Sequence, residues 1–332
     1  MRNVYGDVFR VEIYGESHSP EIGVVIEGVP RGMKLDMGAL QAFMDRRAPG
    51  RDEFSTPRKE PDVPEFLSGF SGGIADGSAV RAVIRNTNVR SHDYETSVPR
   101  PGHADWPARV KYGEGYSFAG GGKFSGRLTA PMCIAGGIAK QILAERGISV
   151  SARAVSIAGE SDEEKMKAAI LAAKAEGDSV GGVIECTVTG MPVGIGEHMF
   201  HGIENRVSQA VFAIPAVKGI EFGAGFAAAE MKGSENNDAY RVIDGEVKTL
   251  TNNAGGVLGG MTTGSPVVFR VAMKPTPSIF KTQKSVDLSV MENVDLNVKG
   301  RHDPCVVFRA VPCVEAAGAI ALADALLCEE QM

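Results

Sequence analysis

The chain has 332 residues, 43% hydrophobic and 23% charged, a globular composition with room for a large core. A formal net charge of −6 argues against a general nucleic-acid or membrane-surface binder, so any anion binding must come from local arginine clusters. Five cysteines, with no C-x-x-C pair and no Cys/His ligand spacing, exclude a disulfide framework and a zinc site and point to reduced thiols in the cytoplasm.

The first ten residues have no apolar run of leader length, and no stretch reaches 18 uninterrupted apolar residues, so neither a signal peptide nor a spanning helix is expected. Alternation of Phe9, Val11 and Ile13 with Arg10, Glu12 and Tyr14 reads as a strand. It runs into the loop Gly15-Glu16-Ser17-His18-Ser19-Pro20, and a second strand follows over residues 22–29. Asp36 is positioned as an N-cap, with Leu40, Phe43, Met44 and Arg47 on one face of the helix that follows. Residues 48–64, rich in Pro, Arg and acids, read as an exposed loop, and residues 80–84 as a strand.

Six glycines fall between Gly113 and Gly126, and a helix over residues 129–146 follows, stopped by Gly147. An exposed helix is expected over 162–176, stopped by Gly177. Asp244-Gly245 separates two alternating runs and marks a hairpin over 240–250. A buried strand over 266–273 and a final helix over 311–330 complete the reading. The segments Ala135-Gly136-Gly137-Ile138-Ala139 and Ala317-Gly318-Ala319-Ile320-Ala321 are alike, and each follows a Gly-Arg loop, so an internal duplication of roughly 1–150 and 180–332 within one domain is a reading beside chance. Hairpins mixed with a few long helices give an α+β class.

Chemistry-bearing residues concentrate in loops. His18 and His103, the latter in Arg100-Pro101-Gly102-His103-Ala104-Asp105, sit on short Gly/Pro loops from which an imidazole reaches a ligand or merely braces the turn. Asp303, in Lys299-Gly300-Arg301-His302-Asp303-Pro304-Cys305, is either a proton-handling carboxylate or an Asx turn before proline. Gly120-Gly121-Gly122-Lys123-Phe124-Ser125-Gly126-Arg127 opens into a helix, as an anion or flavin loop would, or a plain structural turn; it is neither a Walker A motif nor a dinucleotide fingerprint. Arg46, Arg47, Arg51, Arg58, Arg100, Arg109, Arg127 and Arg301 accompany these loops, and guanidinium forks suit phosphate and carboxylate.

In this order the motifs resemble the chorismate synthase family over essentially the whole chain. The resemblance rests on Gly15 to Pro20, Gly28-Val29-Pro30-Arg31-Gly32, Asp45-Arg46-Arg47 with Pro49-Gly50, the Arg100 and Gly120 loops, Val217-Lys218-Gly219, Asn253-Ala254-Gly255-Gly256, Lys274-Pro275-Thr276 and the Gly300 loop. It implies a lyase converting 5-enolpyruvylshikimate 3-phosphate to chorismate and phosphate by 1,4-anti elimination, with reduced FMN and no net redox change. It implies a β-α-β sandwich with a pseudo-twofold repeat, antiparallel sheets around long central helices, assembled as a homotetramer.

It assigns proton donation near the substrate phosphate and the flavin to His18 and His103, and proton handling near the flavin N5 to Asp303. Flavin contacts carry over to Lys123, Phe124, Ser125, Pro215, Ala216, Gly259, Lys274, Pro275, Thr276, Pro277, Ser278 and Arg301, and substrate contacts to Arg46, Arg47, Arg100 and Arg127. Where many members have three successive arginines, this chain reads Arg46-Arg47-Ala48, and Glu53 stands where others place an arginine. The flavin loop reads Lys-Phe-Ser-Gly-Arg, so a backbone-only contact is expected from Phe124. No flavin-reductase insertion is recognised, so an external reductase is expected to supply reduced FMN, with NADPH involved only indirectly. No metal is expected. A non-catalytic flavin- or anion-binding protein is the alternative, and an RNA binder is disfavoured by the acidic balance.

Overall fold

The computed structural model describes residues 3–50, 54, 62–86, 97–113, 116, 119–298, 300 and 302–331. Its helices are α1 (Met37–Arg47), α2 (Asp105–Tyr112), α3 (Thr129–Ala144), α4 (Glu163–Ala175), α5 (Ile203–Phe212), α6 (Gly233–Asn236) and α7 (Val307–Glu329). A five-stranded antiparallel sheet takes the order Val4–Tyr5, Arg10–Gly15, Glu21–Glu27, Val80–Arg85, Glu65–Ser68. A four-stranded antiparallel sheet takes the order Val217–Phe222, Val267–Met273, Gly182–Thr189, Ser149–Ile157. The fold is therefore mixed, as expected, with purely antiparallel pairing in both sheets.

The two sheets enclose a helical layer. α3 lies against the first sheet, α7 against the second, and α1 packs on both helices. In the strand Val267–Met273, alternate residues Val267, Phe269, Val271 and Met273 are buried, which is the period-2 signature of a strand with a covered face. The order of a sheet followed by a long helix occurs twice, and the two similar Ala/Gly segments fall one in each long helix.

Small residues set how closely these layers approach. A Cβ built on Gly136 would overlap the Cβ of Ala316 in α7, and one on Gly318 would lie 3.1 Å from the Phe269 ring. Glycine in a helix interior ordinarily costs about 0.5–1 kcal/mol relative to alanine. Here the sign is expected to reverse: Gly136→Ala should destabilise by about 1–3 kcal/mol, because added volume in a close-packed layer forces backbone shifts. Denaturant unfolding midpoints check this, and a more stable variant contradicts it.

Two buried carboxylates sit inside α7. Asp324, fully buried, accepts backbone N–H bonds from Asp7, Val8 and Phe9 at 2.8–2.9 Å and pairs with Arg206 at 2.7 Å, which anchors the N-terminal segment to the core helix. Among the described residues α7 is the helix long and apolar enough to cross a membrane by length and composition, yet 94% of that window is buried within the protein.

Most local expectations hold. Asp36 caps α1, accepting from the Ala39 N–H at 2.9 Å, and the buried face of α1 is Leu40, Phe43, Met44 and Arg47. Asp244 and Gly245 both have positive φ, 54° and 81°, as a tight hairpin turn demands. Two expectations fail. The final helix begins at Val307, four residues before the expected start, and Pro312 sits inside it. Residues 48–64 are not an exposed loop throughout: Ala48, Asp62 and Pro64 are buried, because Asp62 pairs with two arginines in the interior. Arg51, Glu53, Arg58 and most of that segment lie outside the described residues.

Candidate active site

A cavity of about 600 Å³ opens where the Gly120 loop, the Arg100 loop, the turn after α5, the segment after the strand Val267–Met273 and the start of α7 meet. Among the described residues its lining holds seven cations, Arg47, Arg100, Lys123, Arg127, Lys218, Lys274 and Arg309, against one carboxylate, Asp303. The local field is therefore positive within an acidic chain, and it suits a multiply charged anion.

The arginines are held from behind. Asp62, with no exposed surface, accepts from Arg47 Nη1 at 2.6 Å and from Arg127 Nη1. Arg47 also donates from Nε to Thr129 Oγ1 and from Nη2 to the Gly126 carbonyl, at 3.2 and 2.9 Å. Burial alone would raise the Asp62 pKa, but the two guanidinium groups outweigh it and hold the carboxyl below its usual range. Arg127 also donates to Asn86 Oδ1 at 3.2 Å, while Asn86 Nδ2 donates to the Ser19 carbonyl at 2.7 Å. A polar relay thus runs from Asp62 to the His18 loop.

The glycine turn separates the two histidines. Gly120, Gly121 and Gly122 all have positive φ, 59°, 83° and 52°, which glycine alone adopts without strain. A Cβ on Gly120 would collide with His18 Nε2 and approach Ser17 Oγ to 2.8 Å; one on Gly121 would lie 3.2 Å from His103 Nε2. Two imidazoles therefore flank one bare stretch of backbone, a cradle that any side chain would fill. Ser17, buried, donates its N–H to the Gly122 carbonyl at 3.1 Å and closes the turn against the His18 loop.

His103 Nδ1 lies 2.5 Å from Asp105 Oδ1, and Asp105 also accepts from Arg100 Nε at 2.7 Å and Nη2 at 2.9 Å. Arg100 Nη1 reaches Ser278 Oγ at 3.3 Å. The segment before Arg100 is pinned by the hairpin Gln283–Asp287/Glu292–Leu296, through Ser285 Oγ and the Pro99 carbonyl and through a small core of Val98, Leu296 and Val298. Asp303 accepts from Arg309 Nη1 at 2.5 Å, and Arg309 Nε donates to the Arg47 carbonyl at 3.3 Å.

Most of the expected residues converge here. Lys123, Phe124, Ser125, Pro215, Ala216, Lys274, Thr276, Pro277 and Ser278 line the cavity with His103, Asp303, Arg47, Arg100 and Arg127, and Pro275 lies between two of them. Ser17 rather than His18 is at the lining, the His18 ring resting against Gly120. The Phe124 ring centroid lies 6.4 Å from both Tyr112 and Tyr116, and the Lys123 ammonium stands 5.8 Å from the Tyr112 ring centroid. Lys274 has its pKa lowered, first by burial and then by the Lys218 charge.

Two residues are not brought together with the rest. Arg46 turns to Glu315 at 2.7 Å and stacks on Phe43, outside the lining, and Gly259 lies in the turn between Val257–Leu258 and Met261–Thr262. Arg301 lies outside the described residues. Asp62, Asp105, Ser17, Lys218 and Arg309 were not given roles from the sequence. Asp105 was within reach, because a carboxylate two residues after a loop histidine can fold back on it, whereas Arg309 carried no local signal. Cys133 and Cys313, with Sγ atoms 3.9 Å apart where α3 meets α7, are free thiols, and Cys313 lines the cavity. The hydrogen bond from Cys133 and the Arg47 charge lower the Cys313 pKa against the opposing effect of burial.

A buried bed of arginines, two imidazoles at a bare glycine turn and one carboxylate form a cationic site of the kind enzymes use. A profile of the chorismate synthase family matches residues 9–327. A chorismate synthase of Lancefieldella parvula is 47% identical, covering 98% of this chain and 96% of the relative, and one of Chitinophaga pinensis is 48% identical over 99% and 98%. A crystal structure of chorismate synthase superposes with a TM-score of 0.76 at 28% identity, covering 98% of this chain and 93% of that one. The chain belongs to the chorismate synthase family, and it is an enzyme of that type, a lyase.

Proposed function

We propose that this enzyme converts 5-enolpyruvylshikimate 3-phosphate to chorismate and phosphate by a 1,4-anti elimination that needs reduced FMN, the last step of the shikimate pathway. The observation that carries the reading is a cavity lined by seven cations, His103 and Asp303, with the His18 ring held against the Gly120 turn at its edge. In the reaction one C–H bond and the C–O bond to phosphate break, the hydrogen leaves as a proton handled on the Asp303 side of the site, the ring double bond shifts and one further ring double bond forms, and phosphate leaves with the electron pair of the C–O bond.

The residues fit a flavin phosphate: the bare backbone of the Gly120 turn, Phe124 and the turn at Ala216, whose φ is 73°, all line the cationic cavity. Reduced flavin supplies transient electron density for breaking a weakly acidic C–H bond, with no net redox change.

The protein does the rest. Lys123, Ser125, Pro215, Ala216 and Lys274 to Ser278 hold the flavin. Arg47, Arg100 and Arg127 contribute fixed positive charge toward the substrate phosphate and carboxylates. Because Arg47 and Arg100 already give their donors to Asp62, Thr129, Gly126, Asp105 and Ser278, they act as preorganised charge and need no rearrangement when the phosphate leaves. His18 and His103 donate protons near the leaving phosphate and the flavin, and Asp303, steadied by Arg309, assists proton handling at the flavin edge. In this reading the chain works in the cytoplasm as a homotetramer, with an external reductase supplying the flavin.

Anaerobic mixing of the protein with reduced FMN and the enolpyruvyl substrate tests this. Chorismate absorbance should rise with catalytic turnover. Folded protein that binds flavin and gives no product contradicts it.

A further inference from the structure

Asp105 is the first residue of α2 and is 3% exposed, so its carboxylate is cut off from solvent. It accepts the Arg100 backbone N–H at 3.0 Å, Arg100 Nε at 2.7 Å, Arg100 Nη2 at 2.9 Å and His103 Nδ1 at 2.5 Å. Burial opposes its charge, but the hydrogen bonds from His103 and Arg100 outweigh burial and keep the carboxyl well below its usual range. An ionised carboxylate can only accept, so the proton of that short contact belongs to Nδ1. The other ring nitrogen is then the one turned to the Gly121 backbone at the cavity, where a Cβ would stand 3.2 Å from Nε2. Arg100 completes the arrangement. Its guanidinium spans both carboxylate oxygens, fixing the Asp105 rotamer, while its Nη2 stands 3.2 Å from His103 Nδ1.

We infer that Asp105 is the positioning residue of His103: held by Arg100, it locks the imidazole with Nδ1 protonated and Nε2 presented to the cavity. Arg100 thereby acts through Asp105 as well as through its charge. The inference rests on His103 working in turnover, as proposed above, and adds the group that sets its tautomer and direction.

A double-mutant cycle tests it. Asp105→Asn keeps the shape but lets the amide donate to Nδ1 and favour the wrong tautomer, as buried Asp→Asn changes behind a catalytic histidine do. Turnover should fall by about 10²-fold or more, and by no more than His103→Ala costs, since the effect passes through that ring. The double variant should be no slower than His103→Ala alone, and Asp105→Glu should recover part of the loss. Independent, multiplying losses would show a merely structural role and overturn the inference, as would full activity in Asp105→Asn. A readout without any variant at Asp105 guards against misfolding: ¹⁵N NMR of the wild-type protein, with the His103 signal assigned by its loss in His103→Ala, should show neutral His103 protonated at Nδ1. Protonation at Nε2 overturns the inference whatever the kinetics. If His103→Ala keeps full activity while the wild-type tautomer is as stated, the reading of His103 in turnover has failed and Asp105 orients a ring that turnover does not use.

Discussion

Replacing His103 with alanine is expected to lower turnover by about 10²–10⁴-fold, the range a positioned proton-transfer group contributes. The fold should survive, because the ring lies at the cavity wall and its loss leaves Asp105 still paired with Arg100 through Nε, Nη2 and the backbone N–H. Flavin affinity should change little, since the bare turn at Gly120 to Gly122 and the Lys123–Ser125 segment are untouched. The split matters: a loss carried by kcat identifies a group acting on the reacting atoms, and a loss carried by KM alone would make His103 a binding residue. Asp303→Ala should behave in the same way, with the added release of the Arg309 guanidinium. Steady-state rates with circular dichroism as the control decide both.

Asp62→Ala has the largest expected effect on stability. The carboxylate is fully buried between Arg47 and Arg127, themselves 3% and 6% exposed, so its removal leaves two cations in the interior without their shared counterion. Breaking such a pair costs about 3–5 kcal/mol, a large part of the roughly 5–15 kcal/mol by which domains are stable. The pH dependence follows from the sign of the shift. Asp62 has a folded pKa held below its unfolded value of about 3.9, so its contribution is complete above that value and is lost as pH falls through the folded one. The stability gap between wild type and variant should therefore be constant near neutrality and shrink in acid below about pH 4. Urea unfolding at several pH values measures it, and a gap that widens in acid contradicts the pairing. Activity should fall too, because the same carboxylate sets the relay through Arg127 and Asn86 to the His18 loop.

What was legible in the sequence was local. The Asp36 cap, the helix stops at Gly147 and Gly177 and the Asp244-Gly245 hairpin each depend on a few neighbouring residues, and each is present. Helical periodicity put Arg47 on the buried face with Leu40, Phe43 and Met44. The same rotation of about 100° per residue carries Arg46 to another face, where it meets Glu315 and lies outside the cavity lining. Asp62 was not legible, because a Pro/Arg/acid stretch looks solvated until distant α1 and Arg127, two residues before α3, supply its partners. The early start of α7 was hidden by Pro312, a residue that favours a first turn and here sits in the second. The site was legible as a set of loops; its geometry was not, since what joins Gly120 to His18, and Asp105 to Arg100 and His103, is tertiary packing.

The central claim is that these residues run an elimination around a reduced flavin that ends as it began. Its most direct measurement is a balance under anaerobic conditions, with a known amount of pre-reduced FMN, no further reductant and substrate in large excess. The account predicts one chorismate and one phosphate per substrate consumed, many turnovers per flavin, and a flavin still reduced at the end. Product limited to one equivalent of flavin, with the flavin oxidised in step, would contradict it.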